Sequence, residues 1–356
     1  MPVSDAAPPA SVPTPPARPE PPAIADAWPQ AAVMPLTGWL ERNQFHPLLM
    51  ALAVFVLAFV LFQAVIAPLV ILVGVVIDTV RGGQTAPPTI EGVLEQLTSN
   101  LPLLMTANTI GQIVGFAVLA VVVAKLHTSQ PASFLRWRRP EGRGLGLAAL
   151  GWACLYPAVL WVGQLNASIP LPDALQAMEQ AQVDLIEGLL LGDDLPVVFL
   201  FIALALTPAI CEELLFRGYL QRQVERGLGT VASIALVGVL FGLYHLRLSQ
   251  VLPLSLLGVY LGYVVWVTGS LWAGVLVHLL NNGLAVIASG MARQSPEFDL
   301  EAIEAAGVPW YFGVTGLVLA ALVSRWMLRQ RVAQVGTIPD ARPVGFPSSD
   351  PLPVPS

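Results

Sequence analysis

Apolar residues gather in eight long runs separated by short polar stretches, near positions 47–78, 101–124, 145–164, 195–222, 230–250, 252–267, 271–289 and 309–328. A helix needs about 20 apolar residues to cross a bilayer. Only helices or closed barrels satisfy every backbone polar group in lipid. The pattern therefore predicts an all-α, polytopic membrane helix bundle of about eight transmembrane helices. The first run is longer than a bilayer requires and contains Pro68, which predicts a tilt or a kink. The sixth is short and is expected to lean on its neighbours. In the polar loop 165–194, Leu171, Leu175, Met178, Leu185 and Leu189 recur near helical spacing, with Gln182 breaking the stripe. This predicts an amphipathic surface helix. It is expected to rest on the outer leaflet; a lid over a site is the sharper alternative.

The organisation follows. Residues 1–40 read as a disordered Pro-rich tail, 41–194 as N-terminal membrane helices with the outer amphipathic loop, and 195–290 as the segment bearing the buried polar residues. Residues 291–334 read as an outer loop and a last membrane helix, and 335–356 as a second Pro-rich tail. No short apolar core lies near Met1, so the run starting near Pro47 is expected to act as an uncleaved signal anchor.

Composition strengthens the membrane reading. Of 356 residues, 55% are hydrophobic and 11% charged, with a mean hydropathy of +0.71; soluble domains carry about 25% charged residues. The net charge of −6 is small and dispersed, which argues against nucleic acid as a partner. Cys154 and Cys211 lie far apart in apolar runs, without metal-type spacing, and read as packing residues.

The charges also orient the chain. Lys125, Arg136, Arg138, Arg139 and Arg143 follow the second run, Arg222 and Arg226 the fourth, and Arg325, Arg329 and Arg331 the eighth. With eight spans these fall on one side, expected to be cytoplasmic along with both termini, in the cell (plasma) membrane. Asp173, Glu179, Asp184, Glu187, Asp193 and Asp194 fall on the other side. So do Glu297, Asp299, Glu301 and Glu304, which outnumber Arg293. Arg81 and Arg247 are lone exceptions.

Ionisable side chains inside a span are costly, about 2.5–3.5 kcal/mol at a helix centre on insertion scales, and so mark function by default. Here they cluster in three places: Glu212, Glu213 and Arg217 in run four, His245 in run five, and His278 with Asn282 in run seven. Residues four apart share a helix face. Glu213 can therefore pair with Arg217, Phe241 shares a face with His245, and His278 with Asn282. Glu212 is turned about 100° from Glu213 and can face another neighbour. On these spans Glu212, His245 and His278 differ in depth by about 10 Å, a gap that tilt could close.

Glu-Glu-x-x-x-Arg at 212–217, Phe-x-x-x-His at 241–245 and His-x-x-x-Asn at 278–282, with Phe216-Arg217-Gly218 alongside, resemble the three motifs of the CPBP family. These are the CAAX-protease and bacteriocin-processing (Abi) intramembrane endopeptidases. The resemblance covers about residues 195–290. It implies a peptidase cleaving a membrane-associated peptide or protein, with the lipid bilayer as its other partner. Glu212 and His245 would activate a water, and His278 and Asn282 would stabilise the oxyanion. Hydrolysis in a poorly solvated site needs such a base and such donors. Glu213, Arg217 and Phe241 would support them.

Glu212, His245 and His278 are also candidate ligands for zinc or another divalent metal, although no His-Glu-x-x-His helix is present. A metal-free mechanism is equally consistent. A rhomboid-like serine site and a presenilin-like Gly-x-Gly-Asp site are not found. The rival classes are a transporter whose proton or solute path uses the same polar cluster and a non-proteolytic scaffold or immunity-type protein.

Overall fold

In the computed structural model, residues 36–82, 100–191, 195–294 and 306–336 are described. The tail residues 1–35 and 337–356 lie outside them, as do Asp193, Asp194, Glu297, Asp299, Glu301 and Glu304. All regular structure among the described residues is helical. Among the described residues seven helices are long and apolar enough to cross a membrane. They are α1 (Pro47–Arg81), α2 (Leu101–His127), α3 (Gly142–Ala167), α4 (Val197–Leu228), α6 (Val251–Thr268), α7 (Leu271–Gln294) and α8 (Trp310–Gly336). An eighth apolar helix, α5 (Thr230–Tyr244), has 15 residues and spans about 22 Å. The chain is an all-α integral membrane bundle of about eight helices.

The short helix is thus α5, not α6. The apolar run predicted at 230–250 breaks at His245, because Leu246 adopts a left-handed conformation with φ 54°. A left-handed residue usually ends a helix as glycine; a leucine there is strained. One 3-10 turn, Leu248–Gln250, then leads into α6.

Proline shapes two other helices. Pro lacks the N–H that would bond the carbonyl four residues back. In α1 a π-helical turn, Val60–Ile66, sits immediately before Ala67-Pro68, and in α4 another, Ile202–Leu206, precedes Thr207-Pro208. Both helices continue through their prolines.

Small residues set the closest approaches, as in membrane bundles generally. A methyl group on Gly258 of α6 would lie 2.6 Å from the Gly238 carbonyl of α5. On the far side of the molecule, α8 packs along α3, where Gly316 meets the Cys154 carbonyl at 2.6 Å by the same measure. Cys154 and Cys211 are both free thiols.

The arginines gather at one end of the bundle. Arg136 pairs with Glu225, and Arg138 donates to the carbonyls of Gly269 (2.7 Å) and Thr268 (3.1 Å). Arg226 reaches Glu41 at 2.8 Å, and Arg331 donates to the Trp266 carbonyl at 2.9 Å. Glu41 also accepts from the buried His127, so residues 38–42 are held against the ends of α2 and α4. At the opposite end lies the expected surface helix, Asp173–Leu191. Leu175, Met178 and Leu185 of its stripe are exposed, and Leu189 is buried. Glu179 accepts from the backbone N–H groups of Leu248 (2.5 Å) and Ser249 (3.3 Å), and Arg293 donates to the carbonyls of Leu189, Leu190 and Leu195. The outer cation Arg247 also interacts electrostatically with Glu179.

Candidate active site

The middle of α4 carries the acidic pair. Immediately after Glu213 the helix widens into a π-helical turn, Leu214–Leu220, a feature frequent at functional sites. Glu213 and Arg217 are both fully buried and paired at 2.8 Å. The Arg217 guanidinium also donates to the Gly258 carbonyl (3.1 Å) and lies 4.3 Å from the Phe241 ring centre. One cation therefore ties α4 to α5 and α6. The absence of a side chain on Gly274 lets Glu213 reach α7, since a methyl group there would stand 2.6 Å from its Oε2.

Glu213 does more than hold Arg217. Its Oε1 accepts from His278 Nδ1 at 3.0 Å. A carboxylate only accepts, so Nδ1 carries a proton and Nε2 is the ring's other working atom. His278 Nε2 faces Glu212 Oε2 at 3.9 Å. This is too long for a direct hydrogen bond, and Glu212 Oε2 is buried without any hydrogen-bond partner. Glu212 and Glu213, adjacent in sequence, thus address opposite edges of one imidazole.

Phe241 stands beside both histidines. Its ring centre is 5.7 Å from His278 and 4.9 Å from His245, edge-on to each. His245 caps the C-terminal end of α5 and is exposed. Its Nδ1 donates to the Phe241 carbonyl at 2.8 Å, which leaves Nε2 as an acceptor in the neutral ring. No hydrogen bond or ion pair joins His245 to Glu212 among the described residues. Asn282, one turn beyond His278, is half-buried and donates to the Leu204 carbonyl at 3.2 Å; its Oδ1 accepts from Asn281 at 3.3 Å. The structure therefore brings Glu212, Glu213, Arg217, Phe241 and His278 into one cluster, with His245 against Phe241 at its exposed edge. Asn282 contacts neither glutamate nor either histidine through a hydrogen bond.

Residues 194–284 match the family model described as type II CAAX prenyl endopeptidase Rce1-like. The likeness is confined to this segment, about a quarter of the chain. No curated protein matches the chain, and no solved structure does. The Rce1-like segment runs from just before α4 to the middle of α7 and contains the whole cluster. Over this segment the chain is similar to type II CAAX prenyl endopeptidases.

Among the described residues no group of three or more His, Cys, Asp or Glu side chains converges as a metal site. Glu212 faces His278 Nε2 at 3.9 Å, and no hydrogen bond or ion pair joins His245 to either, so the candidate metal ligands Glu212, His245 and His278 are not gathered into one group.

Two buried polar residues near the cluster escaped sequence reasoning. Tyr244 is buried among Phe55, Phe59, Phe116 and Phe216, its hydroxyl has no partner, and it lies within the field of Glu212. Gln112 of α2, the helix packed on Thr207–Glu213, also has a buried, unpartnered Oε1. A tyrosine or glutamine in an apolar run is no signal until its neighbours are known.

Proposed function

We propose that the protein is an intramembrane endopeptidase that hydrolyses a peptide bond of a membrane-associated peptide or protein with a water activated at Glu212. The observation that carries this reading is the 3.9 Å gap between the unpartnered Glu212 Oε2 and His278 Nε2. Two polar atoms at that separation invite a bridging water, which can lie within hydrogen-bond reach of both.

The chemistry follows from the groups present. Glu212 accepts the water proton as the oxygen attacks the peptide carbonyl. Glu213 holds the His278 ring by Nδ1, so Nε2 stays aimed at the reacting centre; in its protonated form that nitrogen donates to the new oxyanion. His245 Nε2, an acceptor at the exposed edge, would help orient the water, and the proton taken up by Glu212 passes to the leaving amine as the C–N bond breaks. Asn282 offers the second hydrogen of its amide as a further donor. Arg217 and Phe241 position these groups without touching substrate. Both termini are assigned to the cytoplasmic side from the arginine-rich end of the bundle.

The test is cleavage of a membrane-associated peptide by purified protein in vesicles. Glu212→Gln keeps the shape and removes the base, so turnover falls by about 10²–10⁴-fold while unfolding temperature is unchanged. Full cleavage by that variant overturns the role of Glu212.

A further inference from the structure

A second cavity lies away from the acid–imidazole cluster. It is a groove of about 710 Å³ between α3, α4 and α7, floored by Leu145, Leu206, Ile210, Val275, Leu276 and Leu279. None of Glu212, Glu213, His245, His278 or Asn282 lines it. Its volume is that of a small-molecule site, and its walls are almost wholly apolar. Its mouth is different. There the loop between α2 and α3 contributes Trp137, Arg138, Arg139 and Pro140, and α7 contributes Trp272. The Trp137 and Trp272 rings pack at 4.7 Å, at the bundle end where the arginines gather. Paired tryptophans at such a level mark the membrane–water interface.

The cations at the mouth are unequal. Arg138 is tied to the carbonyls of Thr268 and Gly269. Arg139 is exposed and takes part in no hydrogen bond or ion pair among the described residues. An apolar slot opening to lipid, an interfacial tryptophan rim and an uncommitted guanidinium together match one chemistry: a hydrocarbon chain continuous with an anionic headgroup. Basic pockets between helices on the positively charged side bind lipid headgroups in this way.

We propose that this groove is a specific site for one anionic glycerophospholipid, with an acyl chain along Leu206, Ile210 and Leu279 and the headgroup phosphate on Arg139. The site does not depend on the hydrolytic reading. Leu206 and Ile210 lie on α4 just before Glu212, and Leu279 follows His278 on α7, so the lipid braces the two helices that carry the cluster.

Native mass spectrometry of the full chain tests this, after incubation with defined mixtures of phosphatidylglycerol and phosphatidylcholine. The wild type retains one phosphatidylglycerol in preference to phosphatidylcholine. Arg139→Gln, at an exposed side chain without partners, lowers that retention about fivefold. Leu206→Trp, which fills the slot, abolishes it, whereas Arg143→Gln on the same end of the bundle leaves it intact. Equal retention of the two lipids, or unchanged retention in both Arg139→Gln and Leu206→Trp, overturns the proposal. So does a result in which these variants weaken only peptide cleavage, which would assign the groove to substrate.

Discussion

At the residue scale the site depends on a division of labour between two neighbouring glutamates. Glu213 is fully buried and holds Arg217 and His278 through Oε1, its Oε2 lying unpartnered near Gly274, whereas the unpartnered Oε2 of Glu212 is the one that faces His278 Nε2. The spacing of four made the Glu213–Arg217 pair legible in sequence, and the 100° step to Glu212 implied a neighbour other than Arg217. That this neighbour is the far edge of the same imidazole was not legible, because it depends on Gly274 allowing α7 to approach Glu213. Breaking a buried pair by removing one partner leaves an uncompensated charge and typically costs about 3–5 kcal/mol. Arg217→Met is therefore expected to lower the unfolding temperature of the purified protein markedly, in contrast to Glu212→Gln. Similar melting of the two variants would mean that Arg217 carries no structural load.

At the element scale the informative departures are where helices stop. Leu246 and Leu248 extend the hydropathy of α5, and no glycine or proline marks its end. The chain nonetheless turns at Leu246 through left-handed backbone, placing His245 at a helix terminus, not within a span. Hydropathy cannot register a strained leucine. The surface helix was legible from its leucine stripe, but its attachment was not, because Glu179 reads as one acid among several.

That attachment is expected to weaken at acid pH. Desolvation works to raise the Glu179 pKa, but the hydrogen bonds from Ser249 and Leu248 and the charge of Arg247 outweigh it and hold the carboxyl below its ordinary value. A depressed folded pKa gives stability that is complete above the ordinary carboxylate pKa and is lost as pH falls through the lowered one. Hydrogen exchange at Leu248 and Ser249, corrected for intrinsic rates, should stay slow near neutrality and accelerate on acidification below about pH 4. Glu179→Gln should remove the pH dependence. An acid response that persists in that variant would place the titrating group elsewhere.

At the scale of the whole molecule, Arg136, Arg138, Arg226 and Arg331 are tied in at one end of the bundle, and the Glu179 and Arg293 anchors of the surface helix lie at the other. The depth mismatch among Glu212, His278 and His245 closes in two ways. Glu212 and His278 face each other at 3.9 Å across α4 and α7, and His245 packs on the Phe241 ring that also packs on His278. Three separate motifs were visible in the chain. What joins them is a set of close helix approaches at Gly238, Gly258 and Gly274, and a glycine becomes informative only when the helix that crosses it is known.

The central claim is a water held within lipid between Glu212 and His278. An experimental map of the protein in lipid nanodiscs, at a resolution that shows ordered solvent, tests it most directly. The account predicts a water within about 2.6–3.2 Å of both the Glu212 carboxylate and His278 Nε2, reached from the His245 edge. A dry, direct Glu212–His278 contact, or a Glu212 side chain turned out to acyl chains, would contradict it.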